Sequence, residues 1–307
     1  MDGVLEIVVW GARGSIPISN AAVMTYGGCT SCVQVIADNG AHIIFDGGSG
    51  IHALGNKYIE EGFPDNPAIF ISHAHWDHIQ GIPFFTPAFI PGNRIRFFGC
   101  NHGTVSFRDI LKNQMESPYF PVTLASWQAD ITISSIGETT VDIDGIKVTS
   151  SYAEHPGMTL GYRLDYKGKS IVYLPDNEPF AKFDTEAVFV NRSHEEEMGM
   201  ETVFLEDQKA KFFGFIHDAD VLIHDAQYTP EEYKRKVGWG HSNYEMAVRI
   251  GLYGNVRHLV LFHHDASRSD AEVGTIVKTC RRMVADSGGS MEVTAACQGA
   301  APLQLVG

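Results

Sequence analysis

Ser72-His73-Ala74-His75-Trp76-Asp77-His78 decides the reading of this chain. Four ligand-type side chains fall within six residues, directly after the short apolar run Ala68–Ser72. Imidazole nitrogen and carboxylate oxygen together suit zinc, manganese or iron. On a tight loop after a strand, His73 and His75 can point the same way, leaving Asp77 and His78 to serve a second metal nearby. The chain holds 14 histidines, so a single one means little; this spacing is what carries the signal.

Outward from that stretch, the first half alternates strand-like runs with glycine-rich turns. Val4–Trp10, Ser31–Ala37, His42–Phe45 and Arg94–Gly99 read as strands, and Thr104–Met115 as a helix. Ile131–Ser135, Thr139–Ile143 and Ile146–Ser150 suggest antiparallel strands. Thr159–Asp165 and Ser170–Leu174 read as a hairpin around Lys167-Gly168. The second half is α/β, with strands at Val221–His224, Val256–Phe262 and Met291–Ala296. Three capping boxes are expected, at Thr229–Glu232, Ser242–Glu245 and Ser269–Glu272. The pattern predicts two mixed sheets with helices outside, in one domain spanning 1–307, with a lid insertion at about 179–219.

The net charge of −14 argues against a long nucleic acid as partner, because such binders carry a basic face. A small anionic substrate stays compatible, since bound cations reverse the local field. The five cysteines, Cys29, Cys32, Cys100, Cys280 and Cys297, are odd in number and scattered, so no disulfide framework is expected. Cys29 and Cys32 form a lone CxxC that reads as neutral thiols. The first ten residues carry acids and no basic lead, and no run of 18 apolar residues occurs. A cytoplasmic protein without a membrane span is the expectation.

The HxHxDH stretch at a strand end resembles the signature of the metallo-β-lactamase superfamily. The resemblance implies an αββα sandwich with metals between the sheet edges. It extends along nearly the whole chain through His155 in Ala-Glu-His-Pro-Gly, Asp176 in Tyr-Leu-Pro-Asp-Asn, and His263 in Leu-Phe-His-His-Asp, with His264 as the alternative. It implies His73, His75 and His155 on one divalent metal, Asp77, His78 and His263 on another, and Asp176 between them. Two such ions, zinc or manganese, would activate a bridging hydroxide as nucleophile. Phe45-Asp46-Gly-Gly matches the family's strand-end aspartate, a partner for a metal-bound histidine.

Val221-Leu-Ile-His-Asp225-Ala-Gln and Gly240-His241-Ser242 resemble paired motifs of the tRNase Z and PhnP-like phosphodiesterase branch, as do Trp10–Pro17 and Tyr26–Cys32. The resemblance gives His241 a general-acid role, with Asp225 orienting it. Only 20 residues separate His155 from Asp176, where many tRNase Z proteins carry a long basic arm. Together with the negative charge, this points to a small cyclic phosphodiester, a 3′,5′-cyclic nucleotide, as substrate. A tRNase Z-like RNA endonuclease and a lactonase or thioesterase of the same fold are the alternatives. The resemblance also implies a homodimer. Tyr119, Phe120 and Phe213 are candidate readers of a base, but read better as core.

Overall fold

The computed structural model describes residues 3–183, 188–189 and 200–306. Two seven-stranded sheets stack face to face, with helices on both outer faces. The first sheet contains β1 (Leu5–Gly11), β2 (Cys32–Ala37), β3 (His42–Phe45), β4 (Ala68–Ile71), β5 (Arg94–Gly99) and β6 (Asp130–Ser135). It is closed at its edge by β14 (Leu303–Leu305) beside β1. The second contains β7 (Thr139–Ile143), β8 (Ile146–Tyr152), β9 (Leu160–Tyr166), β10 (Lys169–Leu174), β11 (Val221–Asp225), β12 (His258–Phe262) and β13 (Glu292–Ala295).

Each sheet is antiparallel at its start and parallel at its end. β1, β2 and β3 pair antiparallel, and β3 to β6 pair parallel. Likewise β7 to β10 pair antiparallel, and β10 to β13 parallel. The two halves therefore repeat one topology, although no repeat is legible in the residues themselves.

The parallel strands read as continuous apolar runs because both their faces are buried. On β10, Ile171 and Tyr173 enter the layer between the sheets, while Val172 and Leu174 face the outer helices. On β4, Phe70 points inward, and Ile69 and Ile71 meet the opposite helical layer. That layer holds α1 (Gly50–Glu61) and α3 (Phe107–Asn113), with the short α2 (Trp76–Ile79) at the strand ends. The outer layer of the second sheet holds α4 (Met200–Ile216), α6 (Tyr244–Tyr253) and α7 (Asp270–Asp286), with the one-turn α5 (Pro230–Tyr233) preceding α6.

Several sequence expectations shift. β6 does not join β7 and β8; it pairs parallel with β5, and the chain crosses between sheets at 136–138. The capping boxes at Thr229 and Ser269 form, each contributing about 1 kcal/mol. The box expected at Ser242 does not. Asn243 is the N-cap of α6, accepting from the Met246 N–H, so Glu245 stands one position too early to reach back. The Ser242 hydroxyl donates instead to the Asn177 carbonyl at 2.7 Å. The lid segment expected at about 179–219 lies partly outside the described residues. Within it, α4 buries Leu205, Phe213 and Ile216 against the second sheet's outer face. Phe213 is thus core, whereas Tyr119 is 87% exposed. Among the described residues, no helix is long and apolar enough to cross a membrane.

Candidate metal centre

Every sequence-predicted site residue except His241, which lies in the loop before α6, stands at or just beyond a strand end, on one rim of the sandwich. Asp46 follows β3, the His73–His78 loop follows β4, His155 follows β8 and Asp176 follows β10. Asp225 ends β11 and His263 follows β12. Two of these positions, Asp46 (φ 62°) and His263 (φ 57°), take left-handed backbone, which costs non-glycine residues energy and recurs where a side chain must be aimed.

The ligand atoms of His73, His75, His155 and Asp176 lie within 4.8 Å of one another, and so do those of Asp77, His78 and His263. Asp176 stands between the two groups. Its Oδ1 is 3.1 Å from His78 Nε2 and 3.3 Å from His263 Nε2; its Oδ2 is 3.6 Å from His73 Nε2 and 3.7 Å from His155 Nε2. The structure brings His263 into the cluster and leaves His264 out. The His264 ring packs edge-on to Tyr26, and its Nε2–H donates to the Ala296 carbonyl.

Four of the five histidines are held by their other nitrogen, which fixes the free one toward the centre. His78 Nδ1–H donates to Asp46 Oδ2 at 2.7 Å, and His155 Nδ1–H donates to the Gly240 carbonyl at 2.8 Å. His263 Nδ1–H donates to Gln227 Oε1 at 2.9 Å, and His73 Nδ1 contacts the Ser72 hydroxyl at 3.0 Å. Asp46 is the hub behind the loop, accepting also from the Ser72 N–H and hydroxyl and from the Tyr173 hydroxyl.

These residues fit divalent cations on one internal observation. His73 Nε2, His78 Nε2 and Asp176 Oδ1 are buried without a hydrogen-bond partner, three lone-pair-bearing atoms converging on one place. Electrostatics agrees. Burial, reinforced by His78, pushes His73 well below the usual imidazole range, and burial lowers His75 and His155. Burial would raise Asp77 and Asp176, but the surrounding histidines hold both below the carboxylate range. His78 is the exception: burial disfavours its charge, yet Asp176, Asp77 and Asp46 outweigh that and raise it well above its ordinary value. Ionised carboxylates among imidazoles with free nitrogens are the donor set that such ions take.

His241 stands beside this cluster, its ring stacked on His263 at 4.8 Å between centroids and edge-on to His155 at 5.1 Å. Its Nδ1 is 2.9 Å from Asp225 Oδ2. Burial would lower its pKa, but Asp225 chiefly, then Asp176 and Asp77, raise it to about 9.

Some supporting residues had no role assigned from the sequence. Glu178 accepts from the N–H groups of Gly238 and Gly240 and from the Tyr233 hydroxyl, fixing the turn that presents His241. Gln227 and Ser72 hold ligand histidines, and buried Arg13 ties the Gly27 carbonyl to those of Asp265 and Arg268. Gln227 and Arg13 lie inside the motifs quoted for the family resemblance, and Ser72 and Glu178 stand one before His73 and two after Asp176.

Known proteins share the fold on which this arrangement stands. The family profile described as Beta-lactamase superfamily domain matches residues 42–192. Ribonuclease Z of Natronomonas pharaonis is 24% identical over 283 residues, covering 84% of this chain and 86% of that protein. The solved metallo-β-lactamase fold protein YhfI from Bacillus subtilis superposes with a TM-score of 0.66 at 17% identity, covering all of both chains. A diphosphatase from the PhnP family superposes at 0.62 and 17% identity, covering 98% of this chain and 97% of that one. The paired sheets, the strand-end loops and these likenesses converge: the chain has the metallo-β-lactamase fold, is similar over residues 42–192 to the Beta-lactamase superfamily domain, and has ribonuclease Z proteins among its sequence relatives.

Proposed function

We propose that this protein is a phosphodiesterase whose substrate is a small cyclic phosphodiester, a 3′,5′-cyclic nucleotide. The observation that carries the reading is Asp176 set between two histidine groups with the His241–Asp225 pair at its side. His73, His75 and His155 would hold one divalent ion, Asp77, His78 and His263 a second, and Asp176 would serve both. Zinc or manganese suits these donors. Such ions supply Lewis acidity and a water acidic enough to attack a phosphate ester near neutral pH.

The chain's own residues do the rest. Asp46, Ser72, Gly240 and Gln227 keep the ligand nitrogens aimed. Asp225 accepts the Nδ1 proton of His241, leaving Nε2–H to be donated to the departing oxygen. A pKa near 9 keeps His241 in its acid form at neutral pH.

The small-substrate reading is supported by the tight β9–β10 hairpin, which fills the interval between His155 and Asp176, and by the net charge of −14. RNA cleavage is the second reading, favoured by relatives named Ribonuclease Z.

A turnover screen of the metal-loaded protein tests this. The panel holds 3′,5′- and 2′,3′-cyclic nucleotides, a pre-tRNA, a lactone and a thioester, with His75→Ala as the blank. Hydrolysis of a 3′,5′-cyclic nucleotide by the wild type alone is the expected result. Cleavage confined to pre-tRNA would replace the substrate with RNA, and activity confined to the lactone or thioester would overturn the phosphodiesterase assignment.

A further inference from the structure

Beside the metal-ligand cluster, on the flank of His75, lies a cleft of about 320 Å³. This is the small end of the range for ligand pockets, roughly 300–1,000 Å³, sized for one compact group. Its lining is mostly apolar: Val105, Ile110, Pro156 and Met158, with buried His73, exposed His75 and His102 supplying the polar groups. Val105 and Met158 leave 39% and 38% of their surface open, although both sit beside a centre crowded with charge.

The wall is built rather than incidental. His102 and Val105 exchange backbone hydrogen bonds at 3.0 Å in both directions, closing a tight turn through Gly103 that holds both side chains in place. Gly157, at φ 95°, lies against the His102 ring; a Cβ there would stand 3.0 Å from His102 Cε1. Only a glycine lets the ring rest on that backbone. Across the cleft, Met158 is anchored by its carbonyl, which accepts from the Cys100 thiol.

We infer that this cleft seats the nucleobase of the substrate, with Val105 and Met158 against its faces and the exposed His102 imidazole reaching its polar edge. The inference rests on the phosphodiesterase reading and names the group that the substrate's phosphate carries. A base offers a flat apolar face and a hydrogen-bonding rim. Thioether sulfur packs well on aromatic rings, and imidazole both donates and accepts. A centre that bound only a phosphate or a simple alkyl ester would gain nothing from a half-open apolar wall at this position.

Two esters with one leaving group test the inference: thymidine 5′-(p-nitrophenyl phosphate) and methyl p-nitrophenyl phosphate. In both, water attacks phosphorus, the P–O(aryl) bond breaks, and p-nitrophenolate leaves with the bonding pair. The expected result is at least a tenfold higher kcat/KM for the nucleoside ester. Val105→Trp should fill the cleft and bring that ratio to within about threefold, while changing the methyl ester by less than twofold. His102→Ala, at an exposed position that folding does not require, should reduce the ratio at least threefold. Calorimetry adds a readout independent of turnover: adenosine 5′-monophosphate should bind the metal-loaded wild type at least tenfold tighter than inorganic phosphate, and Val105→Trp should erase the difference. Equal turnover of both esters, or equal losses on both in the two variants, overturns the base cleft and leaves the phosphodiesterase standing. Turnover of neither ester, together with no turnover of any phosphodiester in the substrate panel, removes the phosphodiesterase reading, and the base cleft with it.

Discussion

His241 Nδ1 lies 2.9 Å from Asp225 Oδ2, and the same carboxylate oxygen also faces the N–H groups of Asn177 and Ser242 at 3.3 Å. Oδ1 of Asp225 accepts from the Gln227 N–H. The carboxylate is thus fixed by backbone on three sides and has one direction left in which to act, toward the imidazole. If His241 protonates the leaving oxygen, His241→Ala should cut turnover of a cyclic nucleotide by roughly 10²–10⁴. Hydrolysis of bis(p-nitrophenyl) phosphate should fall far less, because p-nitrophenolate needs little protonation. Equal losses on the two substrates would refute the acid role.

Asp46 holds His78 in one tautomer from a position that faces away from the centre. Asp46→Asn should therefore weaken divalent-cation binding by about 10- to 100-fold, the usual consequence of losing a carboxylate behind a ligand histidine. Titration calorimetry on chelator-stripped protein reads this directly. Tyr173→Phe, which removes only one of the donors to Asp46, should weaken binding less.

Gly238 and Gly240 offer a matched pair. Both take positive φ, 86° and 88°. An added Cβ at Gly238 meets nothing within 4 Å, whereas one at Gly240 would stand 2.2 Å from Pro156 Cδ and 2.3 Å from His155 Nδ1. Each alanine should cost on the order of 1–3 kcal/mol in backbone strain. Only Gly240→Ala should also displace His155 and lose activity by more than tenfold; thermal melts and kcat measured side by side separate the two effects.

Buried oppositely charged groups around a shared centre should make stability depend on bound metal. At a thousandfold excess over Kd, a ligand specific to the folded state adds about 4 kcal/mol. Stripping the protein with a chelator should lower its melting temperature, and Asp176→Asn should remove most of that difference. An identical melt with and without chelator would count against metal binding at these residues.

A pH effect arises away from the centre. Trp10 Nε1–H donates to Gln34 Oε1, Gln34 Nε2–H to the Tyr58 hydroxyl, and that hydroxyl stands 3.0 Å from His42 Nδ1. Burial lowers the His42 pKa below 6.5, so the folded state favours the neutral ring that accepts from Tyr58. The unfolded chain takes up a proton first, so this contribution is complete above pH 6.5 and is lost as pH falls below it. His42→Asn, which keeps an acceptor but cannot titrate, should flatten the decline in melting temperature between pH 7 and pH 5.

The candidate cluster was legible because the chemistry concentrates it. His73, His75, Asp77 and His78 sit in one short stretch, Asp176 and His263 each follow an apolar run that reads as a strand, and His155 follows an alternating one. The choice of His263 over His264 depended on a left-handed turn after β12, which leaves no trace in side-chain patterning. The partners of β6 were misread for a related reason. Strand propensity is local, whereas whether Ile131 or Ile133 joins the sheet before it or the one after it is settled by where the chain crosses between layers. Glu178 escaped notice because its task is to bind backbone N–H groups, and no residue type advertises that.

The repeated topology of the two sheets has a further consequence. The segment ending at β6 brings His73, His75, Asp77 and His78; everything that completes their work, from His155 to His263, arrives on the segment beginning at β7. Neither lobe owns a finished centre, and β14 leaves the second lobe to hydrogen-bond along β1 of the first. The metals would therefore act as a clasp across a seam. A chain nicked at 136–138 should yield two pieces that are each inert, yet recombine into a working protein when the cation is supplied.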